Sequence, residues 1–237
     1  VMVKYNGTNE KVKLRITCPD QSCYTYLISD RGAYDTFPLT AGNGSYALQV
    51  LENVAGDTYT VSLAQSINVN IEDEFLPFLY PNQYVNFHTD SKAVSKGSDL
   101  AKDTYSDLDV VQNIYNYVIK NISYDTEKAQ NVSYGYVPDI DDTLSSKKGI
   151  CFDYAALMAS MLRSQNIPTK LEVGYSGDAY HAWISTYIDD KGWVDDIIQF
   201  NGNTWQIMDP TLAATNDSAA VKKYIGDGSH YVVKYTY

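Results

Sequence analysis

The sequence predicts an α+β protein in two parts, a small β-sandwich over residues 1–75 and a mixed helix-and-strand domain over residues 76–237. Three observations predict it. Apolar and polar residues alternate in short runs through the N-terminal third, the period of strands with one wet face. Apolar residues spaced three and four apart come only later, from Leu108 and again from Cys151, and mark two helices. Several strand-like runs then follow the second helix in succession, the order of an α+β domain.

Each element follows from local chemistry. Val12, Leu14, Ile16 and Cys18 alternate with Lys11, Lys13, Arg15 and Thr17. Further strands are predicted over 24–28, 46–51 and 59–63, bounded by turn residues at Asp30-Arg31-Gly32, Gly42-Asn43-Gly44 and Ala55-Gly56-Asp57. The stretch 72–86, with Pro77, Pro81 and many aromatics, has neither period and reads as an ordered connector. Ser106 with Asp109 resembles a capping box, and Leu108, Val111, Tyr115, Val118 and Ile122 continue it as a helical stripe. Residues 124–149 form a polar segment, and Asp139-Ile140-Asp141-Asp142 within it reads as a solvated acidic loop. Cys151, Tyr154, Ala155, Met158 and Leu162 make the second helix, which ends near Arg163 ahead of Pro168. Strands are expected over 169–175, 182–188, 192–197 and 204–208.

Composition narrows the function. A chain of 237 residues, 44% of them apolar, can bury a sizeable core. Its formal charge of −11 repels phosphate backbones and anionic lipid, so nucleic acid is a poor partner. No apolar run reaches the ~18 residues of a membrane span. The 22 tyrosines and the acidic balance point to an extracellular or cell-surface setting, and a monomer is expected; no export signal precedes Val1 in this sequence. Cys18 and Cys23 flank a turn and are either a disulfide pair or two free thiols, which leaves Cys151 as the candidate reactive cysteine.

Cys151, His181 and Asp209 carry the chemistry. A thiol attacks as thiolate, so it needs a proton acceptor, and the acceptor needs a third group to fix its tautomer. The N-terminus of the second helix offers Cys151 unsatisfied N–H groups, expected to lower the thiol pKa and to hold an oxyanion through the Cys151 backbone. Gly149 allows a tight entry and close approach of substrate. Taken singly, Cys151 reads as a buried apolar residue, His181 as a structural histidine and Asp209-Pro210 as a turn; their order and spacing favour catalysis.

The residues Gly149, Cys151, Asp153 to Ala155, Leu162-Arg163, Ile167-Pro168, Gly174-Tyr175, His181 to Trp183, Gly192-Trp193 and Asp209 to Thr211 resemble, in order, the transglutaminase-like superfamily core. The resemblance covers about residues 95–215. It implies a papain-like α+β catalytic core with Cys151 as nucleophile, His181 as general base and acid, and Asp209 orienting the imidazole. Asp195 and Asp196 rival Asp209 as the third member. Tyr124 is the candidate second oxyanion donor, and Trp183, Gly149 and Trp205 are expected to line the cleft. Asp153 is expected to cap its helix. The segment 194–204 is an insertion relative to the common pattern.

The resemblance implies attack on a peptide or isopeptide amide, a thioester on Cys151, and its resolution by water or by a second amine. A peptide or protein substrate, a cell-wall peptide among them, is the expected partner, and neither a cofactor nor a metal is called for. Hydrolysis is favoured over cross-linking. The competing reading is a cell-surface binding or adhesion module that keeps the fold without the activity.

Overall fold

The computed structural model describes residues 1–28, 32–176, 178–189, 191–194, 198–200, 205–207 and 231–237. The chain divides into two compact units, Val1–Pro77 and Phe78–Tyr237.

In the first unit, β2 (Val12–Thr17), β3 (Cys23–Leu27), β5 (Gly44–Ala55) and β6 (Thr58–Val69) form an antiparallel sheet in the order β3-β2-β5-β6. The alternation read from the sequence sets its register. Leu14 lies between Tyr26 and Val50, and Ile16 between Tyr24 and Leu48, which puts one apolar face inward. Val12, Leu14, Ile16, Tyr26 and Tyr46 are buried, and Phe37 packs on Tyr26 with ring centroids 4.8 Å apart. A short ribbon, β1 (Met2–Lys4) with β4 (Tyr34–Thr36), accompanies this sheet. Instead of two full facing sheets, the described residues give one four-stranded sheet and a two-stranded ribbon.

Cys18 and Cys23 are both free. Thr17 pairs with Cys23, so Cys18 falls one position out of step with it. Side chains alternate across a sheet, and Cys18 is therefore buried while Cys23 is exposed. That alternation excludes the disulfide alternative in this fold.

The second unit is built around α5 (Cys151–Arg163), in which every residue from Asp153 to Arg163 is buried. A helix with no wet face must be covered on all sides. Four helices precede it: α1 (Lys92–Ala101), α2 (Asp107–Asn121), α3 (Thr126–Asn131) and α4 (Ile140–Ser146). α2 starts where Ser106 predicts, its side chain accepting from Asp109 N–H. α1 packs on α5 through Gly97, where a Cβ would meet the Met161 backbone at 3.1 Å.

The polar segment read as loop holds both α3 and α4. Each is short and starts on an aspartate cap: Asp125 accepts from Lys128 N–H, and Asp139 from the N–H groups of Asp141 and Asp142. Asp141, expected in a solvated loop, instead accepts from Lys92 and Ala93 N–H at the start of α1. Its charge compensates the positive end of that helix.

Behind α5 stands a four-stranded antiparallel sheet in the order β11-β10-β9-β14. Its strands are β9 (Thr169–Ser176), β10 (Ala179–Ile188), β11 (Gly192–Val194) and β14 (Tyr231–Thr236). β14 has no counterpart among the predicted strands. β12 (Ile198–Phe200) and β13 (Trp205–Ile207) pair separately. The buried Arg163 ties the unit together, donating to the carbonyls of Thr169, Tyr80 and Tyr237. Burial pulls its pKa down to about 9.

Candidate active site

Cys151 is the first residue of α5 and is partly exposed. A parallel bridge fixes the approach to it. β7 (Ser123–Tyr124) pairs with β8 (Lys148–Gly149), aligning Tyr124 with Gly149. Gly149 is buried, and the space its side chain would occupy is filled by Asp153, whose Cβ would lie 2.7 Å away, and by Thr143. Packing at the helix start, rather than the cleft-lining role expected from sequence, therefore demands the glycine.

Asp153 caps the helix as expected, accepting from Ile150 N–H at 2.8 Å. Its carboxylate also takes the Lys128 ammonium at 2.8 Å and the Tyr136 hydroxyl. These two partners come from the segment read as loop.

Backbone N–H groups of Ala182, Phe152 and Cys151 approach the Cys151 sulfur and favour its thiolate. Burial acts more strongly in the opposite sense, and the thiol pKa is raised. The helix N-terminus thus does not set the ionisation expected from sequence; desolvation outweighs it. Ala182 belongs to β10, the strand that carries His181, and β10 packs on α5.

His181 is 6% exposed and stands opposite Gly174 of β9. A Cβ at Gly174 would collide with the Val232 carbonyl oxygen of β14, so only glycine lets the three strands close here. The Nε2 of His181 is buried without a hydrogen-bond partner among the described residues. Burial lowers the His181 pKa to about 4, leaving a neutral imidazole with an open acceptor capacity at neutral pH.

Trp183 lies against His181, ring centroids 6.2 Å apart and planes 27° from parallel. It does not line the cleft as sequence reasoning expects, being only 1% exposed. The reason is a buried anchor: its indole N–H donates to Glu172 at 2.9 Å, Ser185 donates to the same oxygen at 2.6 Å, and Tyr231 packs edge-on at 5.1 Å. Glu172 pairs across the strands with Trp183, yet a lone acidic residue in an apolar run gave no sign of this.

Tyr124 is half-buried beside Gly149. Burial raises its pKa first, and negative charge on Cys151 and on Asp153 adds to the effect, which places the phenol within electrostatic reach of the sulfur. Tyr180 is likewise raised by burial, then by Tyr235, Tyr175 and Cys151. Its ring meets Tyr175 at 5.4 Å, while Tyr84 meets Phe152 at 5.2 Å and Tyr237 at 4.7 Å. Part of the tyrosine excess therefore goes into ring contacts near the start of α5, which residue counts alone do not reveal.

Asp209, Asp195 and Asp196 lie outside the described residues. Trp205 is described only as the backbone of β13. Among the described residues, no cluster of three His, Cys, Asp or Glu side chains is placed to hold a metal ion, and no helix is long and apolar enough to cross a membrane.

Comparison with known proteins bears on this geometry. Residues 95–195 match the transglutaminase-like superfamily, a span that includes Cys151 and His181 and stops short of Asp209. The UPF0252 protein of Methanocaldococcus jannaschii is 30% identical over 118 residues, 43% of this chain and 34% of that relative. The Kyphoscoliosis peptidase of Mus musculus is 30% identical over 107 residues, 40% of this chain and 16% of its own length. This chain therefore covers about a third or less of the length of these two relatives. Among solved structures, the periplasmic domain of TgpA from Pseudomonas aeruginosa aligns over 97% of this chain and 98% of its own, with 13% identity and a TM-score of 0.43, too distant to bear on function. The segment that matches the transglutaminase-like superfamily contains the helix that starts at Cys151 and the strand that carries His181.

Proposed function

We propose that this chain is a thiol-dependent acyl-transfer enzyme in which Cys151 attacks a peptide or isopeptide amide. The observation that carries the reading is the packing of β10, the strand of His181, on α5, the helix that starts at Cys151. With the thiol pKa raised and the imidazole neutral, the resting pair is uncharged. Substrate entry then drives the chemistry: the thiol proton passes to the His181 imidazole as sulfur bonds to the amide carbon. The tetrahedral oxyanion is held by backbone N–H at Cys151 and by Tyr124. His181 returns the proton to the departing amine, leaving a thioester. Asp209 is our candidate for orienting the imidazole.

Hydrolysis is the favoured outcome, because water needs no acceptor site of its own. Transfer to an amine, which would cross-link proteins, is the alternative. An exported or cell-surface setting belongs to the same proposal and rests on the tyrosine content and acidic charge. The test is incubation of wild type and Cys151→Ala with a peptide library and a labelled primary amine, followed by mass spectrometry. Cleavage or deamidation by wild type alone supports hydrolysis, and amine incorporation supports cross-linking. Silence from both proteins favours a binding module.

A further inference from the structure

Asp153 poses an electrostatic problem for a nucleophile two residues away. Its carboxylate is fully buried and is required at the helix start, where it accepts from Ile150 N–H immediately before Cys151. A fixed negative charge there opposes a second one on the sulfur. Among the described residues, the cation bonded to this carboxylate is Lys128 of α3, at 2.8 Å. Lys128 is itself held in place: its Nζ reaches the Tyr136 hydroxyl at 2.6 Å, it lies 4.4 Å from that ring's centroid, and its backbone N–H is fixed by Asp125. Tyr136 closes the triangle by donating to the other Asp153 oxygen.

We propose that Lys128 is a positioning residue that tunes the Cys151 thiol, neutralising the Asp153 carboxylate so that the helix cap does not suppress thiolate formation. The cap and the nucleophile make opposite demands on charge, and a half-buried lysine on a neighbouring helix reconciles them. The titratable groups within electrostatic reach of the sulfur are Asp153 on its own helix, Tyr124 on β7 and Tyr180 on β10, the strand that also carries His181. Those facing Asp153 are Lys128, Tyr136 and Tyr124. Lys128 is the member of this set able to offset a carboxylate at the pH where a thiol ionises. Sulfur also feels Asp153 directly, in the direction of a raised pKa, behind the larger effect of burial.

The proposal rests on Cys151 being the reactive thiol, and its test reads ionisation whether or not a substrate is turned over. Iodoacetamide labelling of the full chain is followed against pH by peptide-resolved mass spectrometry, with the exposed Cys23 as internal reference. Lys128→Met is expected to move the Cys151 midpoint upward by about one pH unit. Asp153→Asn, which keeps an acceptor for Ile150 N–H and leaves Lys128 unopposed, is expected to move it downward by about as much. The double variant returns near wild type, and so does Lys128→Arg, which keeps the charge. A purely structural role would shift both single variants in the same direction, and that result, or unchanged midpoints throughout, overturns the proposal. If Lys128→Met does not fold, Asp153→Asn, expected to move the midpoint downward, and Lys128→Arg, expected to leave it at the wild-type value, carry the test; an unmoved midpoint in Asp153→Asn or a shifted one in Lys128→Arg overturns the proposal. Failure of the acyl-transfer reading appears separately, as equal turnover by wild type and Cys151→Ala.

Discussion

At Cys151 and His181, burial outweighs every other influence on ionisation, and it pushes both toward the uncharged form. For His181 this has a consequence for stability. Its pKa is about 4 in the folded protein against 6.5 ordinarily, so the unfolded chain binds the extra proton first as pH falls. The folded state is fully favoured above about pH 6.5, loses stability between there and about pH 4, and has lost the whole contribution below. The size is at most about 3 kcal/mol, from about 1.4 kcal/mol per pKa unit. His181→Gln is expected to flatten the fall in the urea midpoint between pH 7 and pH 4.5; an equally steep fall in the variant would assign that loss to other groups. The places of Cys151 at a helix start and of His181 on a strand were legible in the sequence because each sits in a short block of its own with a distinct residue pattern. Glu172 and Lys128 were not, since an isolated charge carries no record of the partner that the fold brings to it.

Among the elements, α5 and β10 were the most legible, because a long apolar run at a fixed period leaves few alternatives. α3 and α4 were missed for the opposite reason. They span 6 and 7 residues, too short for a stripe, and depend on aspartate caps that also read as loop chemistry. β14 was missed because its place is decided by a partner far away in the chain, β9, with a register shift between Val233 and Tyr235. Gly174 records that pairing. Because a Cβ there collides with the Val232 carbonyl oxygen, Gly174→Ala is expected to destabilise the protein by about 3 kcal/mol or more. Hydrogen exchange should then show lost protection in 231–236 before the rest of the sheet. Protection of those amides equal to wild type would mean that the strands can part without cost.

At the scale of the whole molecule, the division into Val1–Pro77 and Phe78–Tyr237 separates a β unit from the unit that carries every described residue of the site. The change from period two to helical spacing along the chain foreshadows that division. Charge bears on partners in the same way, since −11 on 237 residues disfavours polyanions. The transglutaminase-like match covers residues 95–195 and lies wholly in the second unit. The central claim is that all turnover passes through one thiol. It is tested most directly by comparing the amide-cleaving or amine-incorporating rate of the full chain with that of Cys151→Ala, both shown folded by circular dichroism. The account predicts a loss of at least about a thousandfold; a variant within tenfold of wild type would contradict it.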